Sequence, residues 1–523
     1  MKTRDDDLPM ANKSMTVDST VPGNQSPAFS WKTYNRRKAV NEMRRHQRRI
    51  FKATKAGNMR KVRAIQKTLI KSLPARFLAV LRVTSSSGRL TPGIDGKTYV
   101  DAAAKEALVV ELRDMLHGYK PLPTRTTFIP KPDGTKRRLG IPAIKDRAMQ
   151  ALVLFALEPV WEARFEPNSF GFRPGRSPID AVQYIGRMLM SRKGRKPHPG
   201  WVLDADITKC FDNINHDALL EKVKDSPFVG YIRAWLKAGT ITRVGFSTTD
   251  KGTPQGGVIS PLLANIALDG MERLFGIYTK SGNYYKPSAR QGRNRGIALF
   301  RYADDFIVLA PSREILEQYV IPTIKSFLAK MGLNLNEMKT RVVNVSEGFD
   351  FLGFHFHRFF RKNGARKSFL YQPRRSRLDL FLRGLKVWLR KNLHASIQEV
   401  IASLNRKTRG FCNYFKWSNA HVAFAYLSHR IHWILYHWIR RRHQKKRGAR
   451  WLKYRYWIPV KGNNWLFHFK GAVFKPPFKY TTRWWLRAPV RIHTSPHDPE
   501  ALEYWAIRAK RFKWLNPAHA GMV

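Results

Sequence analysis

Apolar and polar positions along this chain follow two rhythms. Residues 31–83 set Ile50, Val62, Ile65, Leu69, Phe77, Val80 and Leu81 among charges at a spacing that predicts helices. The segment 85–98, SSSGRLTPGIDGKT, is turn-rich and marks a boundary or loop. AAAKEALVVELRDMLH (102–117) reads as a helix. TTFIPKPDGTKRRLGIPAI (126–144) holds two short β-prone stretches around Pro-Asp-Gly, a hairpin with Lys131, Lys136, Arg137 and Arg138 at its tip. A helix follows to about 162, then the loop FEPNSFGFRPGRSP (165–178) and a helix near 179–191. WVLDADITKCF (201–211) opens as a strand, and GVISPLLANIALDGMERLF (257–275) is a helix after a Gly-rich turn. Residues 272–296 hold a Gly- and Arg-bearing insertion. IALFRYADDFIVLA (297–310) is two apolar stretches around a short polar centre, again a hairpin. A helix over 312–331 and short strands come next. From about 375 the pattern is mostly helical, then aromatic, basic and less regular. Residues 1–30 are polar and predicted disordered. No internal repeat is visible. The sum is an α+β core followed by a basic, mostly helical module.

Charge changes the picture more than length does. The 523 residues carry 96 Lys and Arg against 37 Asp and Glu, a net charge of +59. Such a chain repels itself unless a polyanion neutralises it. Past residue 355 there are 37 cations and five acids, a net +32. Ten of the fifteen tryptophans lie at or beyond Trp417. Cations that track phosphates, interleaved with rings that stack on bases, suit RNA and single strands. No apolar run is long enough to cross a bilayer, and the N-terminus fits no secretory or transit signal. The expectation is a bacterial-type cytoplasmic protein associated with nucleic acid and not with membrane. Two cysteines, Cys210 and Cys412, exclude a disulfide framework or a Cys-pair zinc finger.

The candidate chemistry lies in the few acids. Asp304 and Asp305 sit between two apolar strands, and Trp201-Val202-Leu203 leads into Asp204, Asp206 and Asp212. Neighbouring strands would converge these carboxylates, and hard oxygen donors suit Mg²⁺. Taken alone, an Asp-Asp pair reads equally as a turn. His355 and His357 alternate on a strand, a metal pair or, by the simpler reading, surface and packing residues. Cys210 reads as a small core residue.

An ordered set of motifs decides between these readings. TPGIDG (91–96), IPKPDGTKRRLGIP (129–142), FEPNSFGFRPGRS (165–177), DADITKCFDNI (204–214), GTPQGGVISPLLANIALD (252–269), YADD (302–305), GLNLNEMKT (332–340), FDFLGFHF (349–356) and RGFCNYFKWSNA (409–420) follow one another. In that order the chain resembles the group II intron-encoded reverse transcriptase/maturase family, in its form without an HNH endonuclease. The resemblance implies a right-hand polymerase of fingers, palm with an antiparallel sheet, and helical thumb. The expected division is a helical extension (31–84), fingers and palm (85–365), thumb and maturase region (366–480) and a C-terminal DNA-binding-like tail (481–523).

It further implies that Asp206, Asp304 and Asp305 hold two Mg²⁺ ions, or Mn²⁺, and that Asp204 and Asp212 have turn or capping roles. Phe211 takes the place of the sugar gate, and Gln255 that of the residue contacting the new base pair, its glycine neighbours letting backbone approach the template. Arg125, Lys131 and Arg137 resemble cations that bind the incoming triphosphate. Lys339 resembles a general acid for the leaving pyrophosphate, with a structural role open beside it. The partners implied are group II intron RNA, a target DNA primer and deoxynucleoside triphosphates. Many relatives carry a His where Ile179 stands, and no cysteine follows Cys412 to build an endonuclease. The function expected is RNA-directed DNA synthesis with splicing assistance and retrohoming. A domesticated reverse transcriptase serving phage defence and a splicing factor with little polymerase activity are the alternatives.

Overall fold

The computed structural model describes residues 29–130, 134–190, 199–242, 245–276, 296–360, 366–444, 446–460, 463–482 and 487–511. Nearly all of residues 1–30, predicted disordered, the tip residue Lys131 and most of the 272–296 insertion lie outside them.

Three N-terminal helices, α1 (Arg36–Lys55), α2 (Met59–Lys71) and α3 (Leu73–Thr84), each start on a side-chain cap: Asn35, Asn58 and Ser72. They pack with α4 (Ala102–Asp114) on the later helix α5. Strands β1 (Thr124–Pro130) and β2 (Lys136–Ile141) form the predicted basic hairpin. Helix α5 (Ile144–Glu162) is buried on almost every side, which explains its weak amphipathic pattern. The turn-rich loop before it is fastened by Arg147, whose guanidinium donates to the Gly88, Thr91 and Pro142 carbonyls. A side chain at Gly93 would sit 2.5 Å from the Ala143 backbone, so that loop needs its glycine.

Helix α6 (Pro178–Leu189) leads to β3 (Trp201–Asp206), followed by short helices α7 (Cys210–Asn213), α8 (His216–Lys222) and α9 (Val229–Leu236). Strands β4 (Thr240–Ile241) and β5 (Phe246–Ser247) extend the basic hairpin into a sheet of order β2-β1-β4-β5. Helix α10 (Ser260–Ala267) precedes the second hairpin, β6 (Ala298–Tyr302) and β7 (Asp305–Ala310). After α11 (Ile321–Lys330) comes β8 (Arg341–Asn344), completing an antiparallel sheet of order β6-β7-β3-β8. This sheet lies between two cores. Leu203, Phe306 and Val308 face the N-terminal helices, whereas Val202, Ile307 and Leu309 face α6 and the C-terminal half. Burial on both faces is why β7 reads as an unbroken apolar run.

Strands β9 (Phe349–Phe351), β10 (Phe354–Phe360) and β11 (Arg366–Pro373) lead into helices α12 (Arg375–Lys391), α13 (Ile397–Phe415), α14 (His421–Arg442) and α15 (Ala449–Tyr456). The stretch expected to be less regular forms a three-stranded sheet, β12 (Trp457–Val460), β13 (Asn463–Phe469) and β14 (Ala472–Val473). Its strands are short, and their aromatic residues pack against α14 and α15, so alternation alone marks them weakly.

The chain then returns to the first half. Arg487 and Arg508 pair with Asp180 of α6 at 2.9 and 2.8 Å, all three buried. Val490 accepts from the Tyr184 hydroxyl, and Lys55 of α1 meets Asp498 at 3.0 Å. Helix α16 (Leu502–Arg511) ends the described chain. The motif ending in Ser177 therefore anchors this return, and Ile179 is a buried core residue. Among the described residues no helix is long and apolar enough to cross a membrane.

Candidate active site

The antiparallel register of β3 and β7 sets Asp206 directly opposite Asp305. The β6–β7 pairing sets Tyr302 opposite Asp305, leaving Ala303 and Asp304 in the turn. Three carboxylates thus converge at one end of the sheet, as the apolar-strand pattern predicts. Ala303 sits in the left-handed region at φ 59°, and the turn is held by its surroundings. Gly171 presses on it so closely that a side chain there would stand 2.3 Å from the Ala303 nitrogen. Asn265 of α10 donates to the Gly171 carbonyl at 2.8 Å. Arg301 donates to Asn265 Oδ1 at 3.0 Å and to the Ala303 carbonyl at 3.2 Å.

Arg301 is the functional residue that the sequence reading passed over. Its side chain is fully buried inside an apolar strand, with the charges of Glu166, Asp269 and Glu272 acting on it. Burial lowers its proton affinity, and those three acids oppose that effect. The signal was present: a cation within Leu-Phe-Arg-Tyr cannot be buried without acids, and acids flank both contacting loops.

Crowded carboxylates shift one another. The Asp305 carboxyl is pushed up to about 6 by its low-dielectric surroundings, then by Asp304, Asp206 and Asp204, with Lys339 opposing. Its side chain still opens to solvent, and the like charges beside it act there as well. Asp304 is raised by burial and by Asp206, against Arg137 and Lys339. Lys339 Nζ lies 2.7 Å from Asp206 Oδ2. Arg341 lies 3.2 Å from Asp204, taking that carboxylate into an ion pair of its own.

Among the described residues no group of three acidic, His or Cys side chains is already arranged to hold a metal ion. The donors nevertheless suit Mg²⁺ chemically: hard oxygens on three carboxylates, two of them raised in part by mutual repulsion. Like charges do not close into a shell unaided, and Lys339 already engages one of them. His355 and His357 stack at 5.3 Å, and His355 Nδ1 lies 2.8 Å from Asp350, so the two rings are engaged in packing and hydrogen bonding. Cys210 is buried, its thiol pushed up to about 12 by desolvation.

Phe211 lies in α7, which opens from Lys209 in the left-handed region at φ 44°. Its carbonyl accepts from Thr253 at 2.7 Å, tying it to the Gly-rich turn. Phe211, Gln255, Gly140, Arg138 and Asp212 line one small cleft of about 80 Å³. Phe172, 53% exposed and at φ 59°, meets the Phe211 ring edge-on at 6.3 Å, and it too was missed. Gly140 donates to the Gln255 carbonyl at 3.1 Å. At Gly256, φ 142°, a side chain would come 2.6 Å from the Gly140 carbonyl. The close approach visible at this glycine is thus to the basic hairpin.

The cations divide. Arg137, exposed and opposite Ile129 in the hairpin, acts electrostatically on Asp304. Arg125 instead donates to the Pro92 carbonyl at 2.9 Å, and Arg138 to the Thr240 hydroxyl at 2.8 Å. Lys131 lies outside the described residues.

Known proteins are similar to this chain over both the carboxylate-tipped hairpin and the cationic helical region. Residues 129–356 match the family model for reverse transcriptase (RNA-dependent DNA polymerase), residues 31–112 that for the N-terminal domain of reverse transcriptase, and residues 378–457 that for the group II intron maturase-specific domain. Protein YkfC of Escherichia coli is 35% identical over 55% of this chain and 81% of its own length. Group II intron-encoded protein LtrA of Lactococcus lactis is 27% identical over 65% of this chain and 68% of its own. Maturase-like protein 1 of Euglena gracilis is 29% identical over 61% and 64%. The chain belongs to the group II intron-encoded reverse transcriptase/maturase family.

Proposed function

We propose that this protein is an RNA-directed DNA polymerase that extends a DNA primer on group II intron RNA, and a maturase that assists splicing and retrohoming of that intron. The observation that carries the reading is the register setting Asp206 against Asp305, with Asp304 in the adjoining turn. On this reading the β6-β7-β3-β8 sheet is the palm, the β1–β2 hairpin belongs to the fingers, and α12–α14 form the thumb and maturase region.

Asp206, Asp304 and Asp305 would hold two Mg²⁺ ions, Mn²⁺ serving in their place, which when bound activate a 3′-hydroxyl and stabilise the leaving pyrophosphate. Arg301 and Gly171 hold the turn so that Asp304 is presented without rearrangement. Arg137, with Lys131 and Arg125, neutralises the incoming triphosphate; Arg125 holds the Pro92 carbonyl through one Nη and has further N–H donors to offer. Phe211 sits under the sugar, where a ring excludes a ribose 2′-hydroxyl, and Gln255 meets the new base pair from the minor-groove side. Lys339, held close to Asp206, donates a proton toward the leaving phosphate.

Asp304→Ala tests the reading. It should abolish Mg²⁺-dependent cDNA synthesis and leave intron RNA binding nearly unchanged. Loss of both together would sink the separation of polymerase and RNA-binding roles. Phe211→Ala should relax discrimination against ribonucleotides; unchanged selectivity would remove Phe211 from the sugar site.

A further inference from the structure

Residues of α14, α15 and the β12–β14 sheet line an open cavity of about 840 Å³ that holds none of the three carboxylates. Its walls include Trp433, Tyr436, Trp457 and Trp465, and Arg450 and Lys453 also line it. The rings pack edge to face: Trp433 against Tyr436 at 5.7 Å, and Tyr454 against Trp465 at 5.9 Å. That packing fixes each ring from the side. Trp433 remains 46% exposed and Tyr454 64% exposed. Trp433 Nε1 donates to His429 Nε2 at 3.1 Å, so the indole is held in place. Lys453 Nζ stands 4.1 Å from the Trp465 ring centre.

We propose that this cavity is a binding site for an unstacked nucleobase of single-stranded or looped RNA, with Arg450 and Lys453 on the flanking phosphates. The inference rests on the reading of the C-terminal region as an RNA-binding surface and adds a defined pocket to it.

Three observations select this occupant. A cavity of this size exceeds what a single amino-acid side chain needs and admits a base with its sugar. Its walls are flat rings backed by cations, the combination that stacks on bases while holding the backbone. It borders residues 437–455, a stretch with nine Lys and Arg and no acid, so an anionic chain is drawn there and an acidic side chain is not already in place. His432, whose ring stands 5.4 Å from that of Trp457, is kept toward its neutral form by burial and by His429. A neutral imidazole offers one donor and one acceptor, which suits a base edge better than a phosphate. RNA is the commitment because its folded forms splay single bases out of loops and bulges, whereas duplex DNA keeps its bases paired.

The test is equilibrium binding of the full chain to a short unstructured RNA and to duplex DNA of the same sequence, with no catalysis involved. Trp433→Ala should weaken RNA binding roughly 5- to 150-fold, the equivalent of about 1–3 kcal/mol for one stacked base. The log–log salt slope should stay unchanged, because every cation that faces a phosphate is still in place. Trp433→Phe should recover most of the affinity, which a merely unfolded pocket would not. Lys453→Gln should instead lower the salt slope by about 0.7. Thiouridine placed in the RNA should photocross-link to Trp433, Tyr436 or Tyr454. Unaltered affinity in Trp433→Ala, or crosslinks confined to other regions, would overturn the pocket. An equal loss with equal affinity on DNA would overturn the assignment to RNA. None of these readouts depends on Asp304, so the polymerase reading can fail or survive separately.

Discussion

Charge is handled in opposite ways around the Asp-bearing hairpin and beyond residue 355. In the first region buried cations answer buried acids. Arg173 grips Glu162 through two bonds of 2.8 and 3.0 Å, and although burial pushes that carboxyl up, Arg173 outweighs it and holds Glu162 below its usual range. Arg301 balances Glu166, Asp269 and Glu272. In the second region there are 37 cations for five acids, and many of the cations lie on rings: Arg375 stands 3.8 Å from the Tyr426 ring centre and Arg447 5.0 Å from that of Trp451. An ion pair deep in the protein fixes geometry. A cation on an exposed ring keeps its charge available to a phosphate. Arg487 and Arg508, buried on Asp180, are the second region's share of the first kind; its exposed cations are the ones held ready for a partner.

The largest effect that could break this contrast is Arg301→Met. The variant is close in length but leaves three acids without their central cation. Removing one partner of a buried ionic group costs roughly 3–5 kcal/mol. Chemical denaturation should show a loss of that order, and cDNA synthesis should fall with it even where the protein remains folded, because the Ala303 turn loses its clamp. A loss below about 1 kcal/mol would mean the acids are balanced by neighbouring cations instead, such as Arg273, 3.2 Å from Asp269.

A smaller effect should appear at Asp146, and here the sign matters. Its carboxyl accepts from the Tyr119 hydroxyl at 2.7 Å and from the Leu122 amide at 3.1 Å. Burial still outweighs those bonds and pushes it up from 3.8 to about 6. A folded-state value above the unfolded one means that the folded protein binds the proton more tightly. Stability from this group is therefore greatest at low pH and is lost as pH rises from about 4 to about 6, by about 2–3 kcal/mol at 1.36 kcal/mol per unit. Asp146→Asn should remove this slope. Denaturation of both forms across that window isolates the effect, since the other carboxylates are common to both. Parallel stability curves would show that Asp146 keeps its charge in the fold.

How much of this was legible in the sequence follows the same division. The two hairpins, the convergence of Asp206, Asp304 and Asp305 and the C-terminal helices were readable because period-2 and helical patterns survive there. Arg301 was hidden, since a strand buried on both faces invites every residue to be taken as packing. Phe172 was hidden because its exposure depends on a left-handed backbone fixed by tertiary contacts. The return of residues 487–511 onto α6 was hidden for a simpler reason. Its partners, Asp180 and Arg487, stand 307 residues apart, and no local rhythm links them.

The smallest expected change in stability is the most informative about the second region. Arg440 and Arg441 end α14, where they are exposed and favoured by the helix dipole. Replacing both with Gln should cost less than about 1 kcal/mol of stability, because surface changes away from buried features stay small. If these charges serve a polyanion, the same double variant should bind single-stranded RNA more weakly and lower the log–log salt slope by about 1.4, about 0.7 for each phosphate left without its cation. The measurement is a binding titration at several salt concentrations beside a denaturation curve. A stable variant with a reduced slope keeps the two regions distinct. A variant that unfolds would mean that the exposed charge ending α14 also builds structure, and an unchanged slope would mean that these two cations face only solvent.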